Sequence, residues 1–276
     1  MKGQDLKRRI TGVQETVKIT KAMQMIAASK MFKTQQRFES SRKFLLEVKK
    51  SIRLLMNPTV MNHPYFDMHV GNRIAYIVIS GDKGFCGDYN QLIFDAVFKD
   101  MQARNVVKIF AVGEMAIDFF KKKGIEVSNS YIHLLQNPMP DDARAVTNDL
   151  IKRFVEEKID KVYLVFTEIF SLSRQKVTIK KILPVHYVEQ NVITPILTKD
   201  KDISALLGQY VWAEIYYALT SAALAINYKT MIAMQQATSN GEEMTEQLKL
   251  EYNHKRQENI TTELVDVSTS LQGKRI

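Results

Sequence analysis

Apolar residues repeat in steps of four and three at both ends of the chain. Leu6, Ile10, Val13 and Val17 follow that step near the start, and Ile260, Leu264, Val267 and Leu271 follow it near the end. A stripe with this spacing buries itself against one partner helix rather than a sheet. Further in, Ala22, Met23, Met25, Ile26, Ala27, Ala28 and Met31 leave few polar faces, as does the run Ala222–Ile226. A helix apolar on several sides needs enclosure by something larger than one partner. The centre reads differently. β-Branched runs at Ile74–Ile79, Val106–Val112, Val162–Thr167 and Val177–Leu183, with a weaker one near Ile125–Ile132, alternate with helical patterns at Asn90–Ala103, Met115–Lys123 and Ala143–Glu157. Alternation of this kind predicts an α/β fold with a mostly parallel sheet. The last run, Gln175–Val185, has no helix before it and is expected to pair antiparallel at an edge. Asp141 and Asp142 read as an N-cap and a first-turn charge for the third helix.

The breakers divide the chain in the same places. All six prolines lie between residues 58 and 195. Proline costs about 3 kcal/mol inside a helix, so the proline-free flanks predict helix, domain, helix. The expected boundaries are 1–57, 58–202 and 203–276. At ~1.5 Å per residue the two arms would reach about 85 and 120 Å, too long to bury themselves in their own globule. They are the natural partners of one another, as an antiparallel coiled coil leaving the central domain.

Charge adds direction. Residues 1–57 carry 14 Lys and Arg against 4 Asp and Glu, so nearly all of the net +9 sits on the first arm. That asymmetry points to an acidic partner, with a solvated helix face as the plain alternative. One cysteine excludes an intrachain disulfide or a cysteine-rich zinc site. The uncharged run Ile215–Tyr228 has 14 residues, short of the about 20 that cross a bilayer. No secretory signal is visible in the first arm, and the chain reads as soluble and intracellular. Thirteen methionines, partly clustered in the thickened stretch, suit an adaptable contact surface or plain core packing.

An α/β domain raises nucleotide binding, and the loop from Gly81 to Asn90 is the place to look. Its glycines, Gly81, Gly84 and Gly87, lie three apart and match neither the dinucleotide fingerprint nor the P-loop. A turn leading into the next helix is the simpler expectation, with its glycines at positive φ. Cys86 has no histidine beside it in sequence to act as a base, and a small buried residue is its expected role. The five histidines are scattered without metal-ligand spacing, and the pair Glu242–Glu243 reads as a solvated face. No catalytic, cofactor-binding or metal-binding residue is expected.

Three blocks carry a resemblance. The segment Asp5–Met31 closely resembles the N-terminus of the gamma subunits of F-type ATP synthases. Asp82-Lys83-Gly84-Phe85-Cys86-Gly87, followed by Asn90, is similar to that family's central motif. Met231-Ile232-Ala233-Met234, Ala237-Thr238, Asn240, Tyr252-Asn253, Lys255-Arg256-Gln257 and Ile260-Thr261 resemble its C-terminal signature. The match therefore spans the chain.

The resemblance implies a long antiparallel coiled coil with a Rossmann-like α/β domain at its base. It implies a non-catalytic central stalk, turning in a ring of alpha and beta subunits. An epsilon-type subunit would lie beside it and a membrane c-ring below, at the cytoplasmic face of a bacterial membrane. Nucleic acid and small-molecule substrates are not expected as partners. By the family's pattern, Lys18, Lys21, Lys30 and Lys33 would face acidic segments of the beta subunits. Arg256 and Gln257 would hydrogen-bond to a loop of the ring, and Met23, Met25, Met231 and Met234 would lie in the zone of tight coupling. Some positions depart from the pattern. Ala225, Ile226 and Thr230 stand where a Ser-Glu pair and an Arg are usual, Asp88 replaces a second glycine, and the tail is not alanine-rich. Those departures keep a second reading open, a divergent ATP-driven motor without a proton ring. A free-standing α/β enzyme and a polyanion-binding coil are further classes, the last predicting steep salt dependence.

Overall fold

The computed structural model describes residues 3–55, 65, 73–104, 107–156, 159–185 and 200–272. Two long helices bracket the chain, α1 over Gly3–Leu55 and α5 over Asp200–Gln272. Between them run β1 (Ile74–Ile79), α2 (Tyr89–Gln102), β2 (Val107–Val112), α3 (Glu114–Lys122), β3 (Val127–Tyr131), α4 (Pro140–Val155), β4 (Lys161–Ile169) and β5 (Gln175–Leu183). The chain divides into two compact units. One holds the beginning of α1, up to Ile26, with α5 from Met231 onward; the other is Ala27–Thr230.

In the second unit the strands form one sheet in the order β3-β2-β1-β4-β5. β1 pairs parallel with β2 and β4, β2 pairs parallel with β3, and β5 joins antiparallel at the edge. β1 is buried along its whole length, as a central parallel strand covered on both faces must be. Tyr76 and Tyr163 stack at 5.5 Å on one face and meet Asp100 and Arg104 of the α2 end. Phe166 and Glu168 project to the other face and meet Tyr217 of α5. The same unit holds the adjoining stretch of α1. Phe38 lies 5.6 Å from Tyr217 and Phe44 lies edge-on to Trp212 at 5.4 Å.

The seam of α1 in this unit is an unbroken alternation of four and three: Ala27, Met31, Thr34, Phe38, Ser41, Leu45, Val48 and Ile52 are all buried. Two of its polar members find partners on α5. Ser41 Oγ lies 2.7 Å from Thr220 Oγ1, and Thr34 Oγ1 accepts from Asn227 Nδ2 at 3.3 Å. Residue numbers rise on α1 as they fall on α5, so the pair is antiparallel.

The first unit is a two-helix coil with the same sense. Thr20 Oγ1 lies 2.8 Å from Thr238 Oγ1, and Leu6 is 1% exposed. Gly241 lets the helices close: a Cβ built there would stand 2.5 Å from Val17 Cγ2 and 4.0 Å from Val13 Cγ1. Leu6, Ile10, Val13 and Val17 thus lie on the seam as their spacing predicts. Ile260 and Leu264 do not. They are 44% and 66% exposed, and every described side chain from Asn253 to Asp266 is exposed. In the register set by Thr20 and Thr238, Gly3, where α1 begins, stands opposite Lys255, so no described residue of α1 faces the second stripe. Val267 and Leu271 fall outside the described side chains.

The cap of α4 also differs from expectation. Met139 is the N-cap, Pro140 takes the first helical position, where its missing N–H and fixed φ fit, and Asp142 sits at the third. The Asp142 carboxylate accepts from Met139 N–H at 2.8 Å. Both aspartates supply first-turn charge, but neither caps by its own backbone position.

Candidate functional site

Two regions hold the residues marked by the sequence: the loop after β1, and the outer faces of the long helices.

The loop is built to satisfy itself. Asn90, at the start of α2, accepts from Gly81 N–H through Oδ1 at 2.8 Å, and its Nδ2 donates to Lys83 carbonyl and to Cys86 Sγ, both at 3.3 Å. Asp82 Oδ1 accepts from the backbone N–H of Glu114 at 3.4 Å and of His133 at 3.2 Å, tying the loop to its neighbours after β2 and β3. Of the three loop glycines only Gly87 takes the expected positive φ, +60°; Gly81 and Gly84 do not. Lys83 and Gly84 are turned out to solvent. Asn90, Asp82, Cys86 and Gly87 therefore act on the loop's own shape.

Cys86 is buried, and burial pushes its thiol up from the ordinary range. The native protein is therefore expected to resist thiol-directed alkylation at neutral pH and to react fully in denaturant. Rapid labelling of the folded chain would contradict this placement.

In open α/β sheets a ligand sits at the carboxyl ends of the strands where the order reverses. Here that point is between β1 and β4. It is taken by the chain's own side chains. Tyr89, 1% exposed, donates to Ile79 carbonyl at the end of β1 at 3.4 Å. Ser221 of α5 donates to Thr167 carbonyl at 2.9 Å and accepts from Ile169 N–H at 3.1 Å at the end of β4. The fold's usual ligand crevice serves instead to dock α5.

The helix faces are the other candidate. In the first unit Lys18 and Lys21 are exposed, and beside them stand Ile19, Met25 and Ile26 at 60%, 61% and 56% exposure. Met23 and Met231 are half-buried, while Met234, at 8%, lies in the seam and faces inward. On α5 Arg256 and Gln257 are exposed, on the same helical stretch as the exposed Leu250, Ile260 and Leu264. Lys30 and Lys33 are exposed in the second unit, as is Phe32 at 66%. Among the described residues none of these four lysines enters a salt bridge. A two-helix coil needs one apolar seam; this one carries large apolar side chains well outside it, next to uncommitted positive charge. Such a surface is built for burial against a further protein.

Sequence reasoning missed one cluster. Glu214, fully buried on α5, meets Lys180 of β5 at 2.7 Å and Lys49 of α1 at 2.9 Å. The two ammonium groups hold its carboxyl below the usual range against the opposing effect of burial. The only signal in the sequence is a lone acid at the edge of an uncharged run. Asp88, one of the departures, pairs with Lys229 at 2.9 Å, joining the β1 loop to α5 one residue before Thr230.

Comparisons with known proteins agree along the whole chain. A family model described as ATP synthase matches residues 2–272. The ATP synthase gamma chain of Halothermothrix orenii is 32% identical over 274 residues, covering 95% of this chain and 96% of the relative. That of Heliobacterium modesticaldum is 31% identical over 277 residues, with coverage of 95% and 96%. Among solved structures, a chain of the Euglena gracilis mitochondrial ATP synthase (OSCP/F1/c-ring, rotational state 3) superimposes with a TM-score of 0.75 at 14% identity, covering 99% of this chain and 96% of that one. A chain of the Tetrahymena thermophila mitochondrial ATP synthase central stalk and c-ring gives 0.62 at 22% identity, covering 79% and 99%. These two share the fold.

Proposed function

The chain belongs to the ATP synthase gamma-chain family, and we propose that it is the central rotary shaft of an F-type ATP synthase or ATPase, turning inside a ring of three alpha and three beta subunits. The observation that carries this reading is the first unit: a two-helix coil whose large apolar residues, Ile19, Met25, Ile26, Leu250 and Leu264, stand exposed outside its seam. A surrounding ring is the partner that covers such a coil on several sides at once. Lys18, Lys21, Lys30 and Lys33 supply charge toward acidic segments of the ring, and Arg256 and Gln257 project as hydrogen-bond donors near the end of α5.

No chemical step is assigned to this chain. An asymmetric shaft presents a different face to each of three identical sites, and each face favours one conformation and one nucleotide affinity. Turning the shaft cycles those affinities, so rotation and ATP chemistry are linked by differential binding. An epsilon-type subunit and a membrane c-ring are the partners proposed for the α/β base. Among the described residues no helix is long and apolar enough to cross a membrane. The proposed place is peripheral, at the cytoplasmic face of the bacterial cell membrane. The second reading, a motor attached to something other than a proton ring, rests on Ile226, Thr230 and the tail Leu271–Ile276.

The test is mutational. Arg256→Ala with Gln257→Ala touches exposed side chains, so the isolated chain should keep its stability within about 0.5 kcal/mol. Met23→Lys places a charge in the zone proposed for tight coupling. ATPase turnover of the reconstituted complex is expected to fall, or to lose its coupling to ion movement, in both variants. Unchanged turnover and coupling in both would overturn these contacts.

A further inference from the structure

Resting on the rotor reading, we propose that the polar groups of α5 between Glu214 and Ser221 form the torque joint that fixes the helix pair to the sheet. Apolar contacts are non-directional, so a helix held by them alone can repack in a shifted position without leaving any polar group unpaired. Hydrogen-bonded buried groups cannot, because any displacement leaves a donor, acceptor or charge without its partner.

The joint concentrates such groups. Glu214 is bonded to Lys180 on β5 at 2.7 Å and to Lys49 on α1 at 2.9 Å. One helical turn on, Tyr217 donates to Glu168 of β4 at 3.3 Å, and Glu168 in turn accepts from Thr178 of β5 at 3.1 Å. Ser221 bridges Thr167 carbonyl and Ile169 N–H at the end of β4. All of Glu214, Thr220 and Ser221 are 0% exposed. The contacts run along two strands and reach the other helix, so they resist both sliding along the sheet and rotation about the helix axis. A buried ion pair adds little net stability over an apolar replacement, but an arrangement that leaves one partner buried alone is costly. A joint that must transmit twist has a use for that property.

The arrangement separates into two testable links. Lys180→Met removes the ion pair between α5 and β5 and leaves Lys49 with Glu214; Lys49→Met removes the ion pair between α5 and α1 and leaves Lys180 with Glu214. The complete complex is immobilised by its ring, and a bead is attached to the base through Lys122→Cys on α3, the native Cys86 being buried. Angular variance is read in the pauses at limiting ATP. Lys180→Met is expected to raise the variance at wild-type unloaded turnover, and Lys49→Met to raise it less. Should Lys180→Met fail to assemble, Ser221→Ala reads the same joint. Wild-type variance in the variant that assembles, even with lowered thermal stability, would overturn the joint while leaving the rotor intact. A wild-type complex whose bead does not turn would overturn the rotor reading as well.

Discussion

Glu214→Ala is expected to lower the stability of the α/β unit by about 3 kcal/mol, the low end of the cost of breaking a buried ion pair. The carboxylate is fully buried between two ammonium groups, and its removal leaves both without a counter-charge and opens a cavity. The cost stays low in its range because the Lys49 and Lys180 side chains keep 31% and 30% exposure and can turn toward water. Trp212, the only tryptophan, lies two residues away in the same unit and reports its unfolding. The urea midpoint should fall by roughly 1 M. Glu214→Gln, which keeps the volume but not the charge, should fall between. Acid removes the difference. The folded-state pKa of Glu214 is depressed, so its contribution is present above the ordinary carboxylate range and is lost as pH falls through the folded value. The gap between wild type and Glu214→Ala should therefore narrow below that range, and a constant gap would contradict the assignment.

Gly113→Ala should be worse, although it adds one methyl group. Gly113 has φ +93°, which side chains rarely adopt, and a Cβ there would stand 2.1 Å from the Ser80 carbonyl oxygen and 2.8 Å from its carbon. Both are backbone atoms at the end of the central strand, so no rotamer change relieves the clash. The Gly113 N–H also donates to Tyr131 carbonyl at 2.8 Å, which fixes its position from the other side. A loss of about 3 kcal/mol or more follows from strain and displacement together, a large fraction of a domain's usual stability. Gly12→Ala is the control. It lies inside α1 with nothing within 4 Å of the added Cβ, and should stabilise by ~0.5–1 kcal/mol through helix propensity. Thermal unfolding of the two variants should move in opposite directions; a similar shift in both would contradict the geometry at Gly113.

The sheet was the most legible part of the chain, because buried parallel strands must be written as continuous apolar runs such as Ile74–Ile79. The coil was legible only at its start. Its seam continues through Thr20, Thr34 and Ser41, where hydroxyls replace apolar side chains and a hydrophobic pattern loses the track. Those hydroxyls are satisfied by Thr238, Asn227 and Thr220 on the other helix, a fact that only the register reveals. The stripe Ile260–Leu271 shows the reverse. Its spacing is right, but spacing does not say whether a partner helix is present, and no described residue of α1 faces it. Exposed there, Ile260 and Leu264 become evidence for a partner outside the chain. The loop after β1 was recognisable as a motif, and its glycine at Gly87 has the expected backbone. That its asparagine, Asn90, holds the loop by three bonds was not readable from spacing, since it depends on where α2 begins. Glu214 was hidden for a similar reason: its two lysines come from residues far apart in sequence.

The measurement that bears most directly on the central claim is the composition of the native complex, purified through a tag on this chain and weighed intact by mass spectrometry. The expected particle holds one copy of this chain with three copies each of two nucleotide-binding subunits. A membrane ring in the same particle would favour the synthase over a motor attached elsewhere. A particle without that hexamer would contradict the shaft reading and leave the exposed apolar coil to another partner.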